Sequence, residues 1–170
     1  MPTPDRTSLD EIVAAARELL EEDALTMQAV ADRVGVQAPS LYKRVRSRDE
    51  LVRLVAEATL ADLGLIEGDI YAVASAFRAF AHHRPAAFRL VMGGGVAASP
   101  DAIVAASQPI LRAAGALAGS GNELVAARTF TAWANGFIAM ELNNGFNLAG
   151  PVDDAWHYGL DRLVAAISAS

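Results

Sequence analysis

The sequence predicts an all-α fold of about nine helices, on three kinds of signal. Apolar residues recur at the helical period and nowhere at the alternating period of a strand. Ser8 with Glu11, and Ser47 with Glu50, have the spacing of capping boxes, in which a hydroxyl and a carboxylate satisfy each other's backbone N–H groups at a helix start. Breaks fall at Arg84-Pro85, Gly93-Gly94-Gly95, Gly119-Ser120-Gly121 and Gly150-Pro151, where glycine and proline interrupt helical hydrogen bonding.

The first helix starts at Ser8, and Ile12, Ala16, Leu19 and Leu20 share one face of it. Asp23 is placed to end it, since aspartate tolerates the left-handed region better than most residues. Thr26 caps a short second helix with Val30 and Val34 on its inner side, and Gly35 is its exit. A third helix opens near Pro39, with Leu41 and Val45 inside and Tyr42, Lys43 and Arg44 fanned over the rest. Ser47 opens a fourth, striped by Leu51, Leu54, Val55, Ala58 and Leu65. Five further helices are expected at about 70–83, 85–92, 100–118, 122–143 and 153–168. The expected organisation is an arm and helix-turn-helix domain over 1–47, a connecting helix over 48–66 and a helical body over 67–170.

Composition narrows the function. With 53% hydrophobic and 20% charged residues among 170, the chain is globular. It has no cysteine, so disulfides and thiolate metal sites are excluded, and a cytoplasmic setting is expected. No run reaches 18 apolar residues and no membrane span is expected. The opening MPTPDRT has no apolar signal core and reads as a short arm. Enzymatic activity is not expected: His82 and His83 are helix neighbours that cannot easily face one metal, His157 stands alone, and no metalloprotease, phosphate-loop or nucleophile-elbow motif occurs. No cofactor and no metal are expected.

The charge distribution is more informative than its sum. The formal net charge is -6, yet residues 33–53 hold six cations and two anions, whereas residues 1–32 hold two cations and eight anions. The second and third helices form a tight helix-turn-helix around Gly35, with small Ala31 where the helices cross and Val36 and Leu41 inside the turn. If the third helix enters a major groove, its first residues meet base edges and its flanks meet phosphates. Lys43, Arg44, Arg46 and Arg48 lie on those flanks, Tyr42 has a hydroxyl to offer a phosphate, and Thr26 sits at a helix N-terminus that favours an anion.

The stretch LTMQAVADRVGVQAPSLYKRVRSRDELV resembles the DNA-binding domain of the tetracycline-repressor (TetR) family of bacterial transcriptional regulators, over roughly residues 8–60. The resemblance implies a homodimer on a palindromic double-stranded DNA operator, with a C-terminal ligand-binding domain. It implies phosphate contacts for Thr26, Tyr42, Lys43 and Arg48, and places Gln37, Ala38, Ser40 and Arg44, with Pro39 among them, against the bases. Gln37 stands where the family usually has Ser or Thr, and Arg44-Val45 where it often has His-Phe. The segments FRAFAHHRPAAFRLVM and TAWANGFIAMEL resemble a C-terminal type of that family marked by Trp followed by His-Gly; Trp133 and Gly136 match, and Asn135 replaces the histidine.

In the body, Phe130, Trp133, Phe137 and Met140 make a bulky stripe, and Val125, Thr129, Ala132, Gly136 and Ala139 a small-residue stripe on the same helix. The small stripe, with Trp156, Leu160, Leu163 and Ile167, is assigned to a dimer interface. A pocket for a small, mostly apolar ligand is assigned to Phe77, Phe80, Phe88, Met92, Leu111, Phe130, Trp133 and Phe137, with His83, Gln108, Asn135 and Glu141 as polar handles. The expected function is a repressor released from its operator by such an effector. Two alternatives remain at this point: a helical small-molecule-binding protein without DNA function, and a constitutive dimeric DNA binder with no effector.

Overall fold

The protein is described here by a computed structural model covering residues 7–95 and 98–168. Of the expected N-terminal arm, residues 1–6 lie outside the described residues. Nine helices and no strand are present among the described residues: α1 (Leu9–Glu21), α2 (Met27–Arg33), α3 (Ala38–Tyr42), α4 (Arg48–Gly64), α5 (Ile70–His83), α6 (Pro85–Met92), α7 (Pro100–Ala118), α8 (Glu123–Leu142) and α9 (Val152–Ser168).

The helix ends follow from local chemistry. The Ser8 hydroxyl accepts the Glu11 N–H at 3.1 Å, and the Glu11 carboxylate accepts the Ser8 N–H at 2.7 Å, closing the capping box of α1. Asp23 lies in the left-handed region at φ 54°, and the Asp23 and Ala24 N–H groups turn back to the Leu20 and Leu19 carbonyls. That pair of bonds satisfies the carbonyls that the end of a helix leaves open. Gly35 does the same for α2 at φ 73°, with its own N–H on Asp32 and that of Val36 on Ala31. At the start of α4 the Ser47 hydroxyl accepts the Glu50 N–H at 3.1 Å, while the Glu50 carboxylate reaches the Arg46 N–H at 2.7 Å, one residue further back than the capping-box spacing implies.

The chain divides into two units, Met1–Ala61 with Arg84–Ile103, and Asp62–His83 with Val104–Ser170. In the first, Ile12, Ala16 and Leu19 of α1, Leu25, Val30 and Ala31 around α2, and Leu41, Val45, Leu51 and Val55 form one buried cluster. The sequence reading puts everything after residue 67 in one helical body, but α6 packs with this first unit. The reason is a cap supplied from 65 residues away: the Glu21 carboxylate accepts the Ala86 and Ala87 N–H groups at 2.9 and 3.0 Å, and α6 lies along α1. A carboxylate at a helix N-terminus meets both unpaired N–H groups and the positive end of the dipole. In the second unit α8 packs against α5 and α9, burying Phe130, Ala134, Ile138, Trp156 and Leu160.

Candidate nucleic-acid interface

The turn after α2 presents α3 to solvent by its first residues and its flank. Leu41 and Val45, 1% and 0% exposed, anchor the inner side. Gln37 is exposed and extended, and its side chain makes no cap bond, so the N–H groups that open α3 have no side-chain partner from it. Pro39 is exposed in the first turn, Ala38 and Ser40 are half-buried, and Tyr42 is 50% exposed. Thr26 is exposed at the start of α2, where its hydroxyl oxygen accepts the Ala29 N–H at 3.0 Å and leaves its proton to donate outward.

The structure sorts the six cations of residues 33–53. Arg33 is spent inside the unit, bridging Glu18 at 3.0 Å and Glu22 at 2.9 Å, and those carboxylates, Glu22 foremost, hold its pKa up. Arg53 pairs with Glu57 at 2.9 Å, one helical turn on. Lys43, Arg46 and Arg48 form no ion pair among the described residues, although Arg48 Nε donates to the Leu25 carbonyl at 3.4 Å. All three are exposed, as is Arg44. Lys43, Arg46 and Arg48, without an ion pair among the described residues, therefore follow α3 directly in the chain, whereas Arg33 and Arg53 are taken up by glutamates.

The body residues singled out from sequence fall differently. Phe130 is buried, and Phe77, Phe80, Leu111, Trp133 and Phe137 are half-buried, all in the second unit. Phe88 is buried and Met92 half-buried in the first unit. His83 and Gln108 are exposed, and Gln108 donates to the Val104 carbonyl of its own helix. Val125, Thr129, Ala132 and Gly136 make an exposed line along α8, with Ala139 half-buried at its end. Leu163 and Ile167 are half-buried. Trp156 and Leu160 correct the interface assignment: each is 1% exposed inside the chain. Trp156 is held by ring contacts to Trp133 and Phe137, with centroids 4.8 and 5.3 Å apart, so its apolar surface is already covered.

The sequence reading missed a charged cluster in this unit. Arg78 of α5 forks onto Glu141 of α8, with Nε on Oε2 at 3.0 Å and a second nitrogen on Oε1, and also reaches Asp153 of α9 at 2.6 Å. Its guanidinium lies 5.0 Å from the centre of the Trp156 ring, a cation–π arrangement. His82 Nε2 sits 3.2 Å from Glu141. Burial pushes the Glu141 carboxyl up, but Arg78 and His82 outweigh it and the group ends below the usual carboxylate range. Arg78 likewise holds Asp153 low. The signal was available: Arg78 and Glu141 are isolated opposite charges in otherwise apolar helical stretches, and a long charged side chain is buried only when paired. Among the described residues no three His, Asp or Glu side chains converge as a metal site, and no single helix is long and apolar enough to cross a membrane.

Comparison with known families matches both halves of the chain. Residues 12–55 match the model of bacterial regulatory proteins of the tetR family, and residues 70–163 that of the tetracyclin repressor-like C-terminal domain. The chain belongs to the TetR family of bacterial transcriptional regulators. A relative in Mycobacterium tuberculosis, the HTH-type transcriptional regulator Rv0681, is 28% identical over 157 residues, covering 82% of this chain and 72% of that protein. The structure of BioQ with its double-stranded DNA operator has the same fold, at TM-score 0.68 and 23% identity over 97% of this chain and 100% of that one. So does a TetR variant from Acinetobacter baumannii AYE in complex with minocycline, at TM-score 0.67 and 23% identity over 95% and 96%. The matched TetR segment 12–55 contains α2, α3 and every cation of the exposed flank.

Proposed function

We propose that this TetR-family chain is a cytoplasmic homodimeric repressor that reads a palindromic operator with α3 and leaves it when a small, mostly apolar effector enters the helical body. One observation carries the DNA part: the start of α3 is open while Lys43, Arg46 and Arg48, which follow it in the chain, have no carboxylate partner among the described residues. Gln37, Ala38, Ser40 and Arg44 meet base edges, and Thr26, Tyr42, Lys43 and Arg48 grip phosphates. The solved BioQ–operator complex supports the reading by fold.

Dimerisation is assigned to the exposed face of α8. Val125 is 64% exposed, and nothing lies within 4 Å of where a side chain at Gly136 would begin. A mid-helix glycine with open space around it has no use within the chain and fits the close approach of a second copy. Two copies would set their α3 helices about 34–36 Å apart, one turn of B-DNA. The effector is assigned to the aromatic stripe of the second unit, Phe77, Phe80, Phe130, Trp133 and Phe137; the minocycline complex of a protein of this fold supports a ligand role for the body. Trp133 and Gly136 support assigning the body to the Trp/His-Gly type of the family, with Asn135 where that type has its histidine. A ligand lowers operator affinity only by binding the two conformations unequally, and a change in the tilt of α4 is the simplest difference between them. The chain acts by binding rather than catalysis.

Selection of genomic DNA fragments with purified protein tests this. The expected result is one enriched two-fold symmetric site with half-sites about 10 base pairs apart. Recovery of no fragment above background contradicts the proposal.

A further inference from the structure

We infer, on the operator reading proposed above, that Glu50 of α4 is a positioning residue for the DNA contact. Through one bond to the Arg46 N–H it holds the short connection that carries the basic side chains from α3 to α4. That connection is tied at both ends. Backward, the Lys43 N–H donates to the Ser40 carbonyl at 3.3 Å, and those of Arg44 and Val45 donate to the Leu41 carbonyl at 2.9 and 3.0 Å. The buried Val45 seats that end on the core. Forward, the Arg46 N–H donates to Glu50 Oε2 at 2.7 Å, across four positions. The Ser47 hydroxyl accepts the Glu50 N–H at 3.1 Å, so both the backbone and the side chain of Glu50 are engaged with the connection. A backbone N–H on a carboxylate is a charge-assisted bond, roughly twice as strong as a neutral one.

A carboxylate in this segment needs a physical reason. Negative charge beside a phosphate-binding surface weakens the attraction to DNA, and a glutamate next to arginines would most simply neutralise one of them. Arg53 and Glu57 do that: four positions apart inside α4, they form a side-chain ion pair at 2.9 Å. Arg46 and Glu50 have the same spacing and a different outcome. Arg46 lies before α4, where no helical carbonyl takes its N–H, and the Glu50 carboxylate goes to that N–H instead of to a guanidinium. Glu50 forms no ion pair with Lys43, Arg46 or Arg48 among the described residues. The side chains of the basic segment thus keep their charge for phosphates while the backbone beneath them is held. Without the bond, the Arg46 backbone is free to sample other conformations, and DNA must order it again on binding. Re-fixing one residue weakens an equilibrium by about fivefold or more.

Two variants of equal charge isolate the bond. Glu50→Gln keeps an oxygen that can accept the Arg46 N–H, and Glu50→Ala removes it; both residues suit a helix, so α4 is not weakened by propensity. The first readout is amide hydrogen exchange of the full chain without DNA, followed by NMR. The Arg46 amide is expected to exchange at least about fivefold faster in Glu50→Ala than in Glu50→Gln. The second is affinity, well below the melting temperature, for a duplex carrying the site that the parent protein enriches from genomic DNA. Glu50→Ala should bind about fivefold more weakly than Glu50→Gln, with parallel salt dependence, because neither change removes a phosphate contact. Equal exchange in the two variants overturns the assignment, and so does unequal exchange with equal affinity. A shallower salt slope in Glu50→Ala alone also overturns it, since that marks a lost phosphate contact. A parent protein that enriches no site refutes the operator reading and the positioning role with it; that failure is distinct because it precedes any comparison of variants.

Discussion

Two glycines on neighbouring helices of the body should answer alanine in opposite ways. Gly159 sits in α9 against the indole of Trp133: a Cβ there would lie 2.5 Å from Cζ2, 3.0 Å from Cε2 and 3.2 Å from Nε1. The indole has little room to retreat, because its ring packs on Trp156 and Phe137 with centroids 4.8 and 5.7 Å away. Helix propensity alone favours alanine by about 1 kcal/mol, whereas forcing a methyl group into a packed site costs about 1–3 kcal/mol. Gly159→Ala should therefore lose stability, by up to about 2 kcal/mol once the propensity gain is subtracted. Gly136, with nothing within 4 Å, should gain up to about 1 kcal/mol in the same substitution within a single chain. Urea unfolding followed by the fluorescence of Trp133 and Trp156 reads both, and repeating it across protein concentrations separates chain stability from association. Gly136→Leu, by contrast, should weaken self-association if α8 meets its copy there. A Gly159→Ala protein as stable as the parent would refute the packing argument.

Three further outcomes follow from the geometry. Gly35→Ala forces a Cβ into the left-handed region at φ 73° and should cost about 1–2 kcal/mol in the first unit, read as a lower urea midpoint. Glu141 titrates below its ordinary range, so its contribution to stability is present above the unfolded carboxylate pKa and is lost as pH falls through the lower folded value. Glu141→Gln should destabilise the protein by about 2 kcal/mol at pH 7 and shrink that acid-side loss, measured by thermal melts between pH 7 and pH 3. An Arg33→Ala protein should keep nearly the parent urea midpoint, since its ion pairs are exposed and screened by solvent.

Much of the fold is local chemistry and was legible in sequence. The Ser8 cap, the left-handed Asp23 and Gly35, and the inner residues Leu41 and Val45 each follow from a few neighbouring residues. The distant pairings were not. Arg78 meets Glu141 across 63 positions, and Glu21 caps α6 across 65. Periodicity says that Trp156 faces something apolar without saying whether that is its own chain or another. The same limit applies to the cations. Composition counts six in residues 33–53, but Arg33 and Arg53 are spent on glutamates that the fold brings to them.

That distinction gives the most direct measurement of the central claim, the salt dependence of operator binding in single-charge variants. Each phosphate contact removed should lower the log–log slope by about 0.9. Lys43→Ala should show that drop, and so should Arg48→Ala, while Arg53→Ala keeps the parent slope because its charge is already paired with Glu57. Unchanged slopes for Lys43→Ala and Arg48→Ala, or an equal drop in all three, would contradict the placement of α3 on DNA.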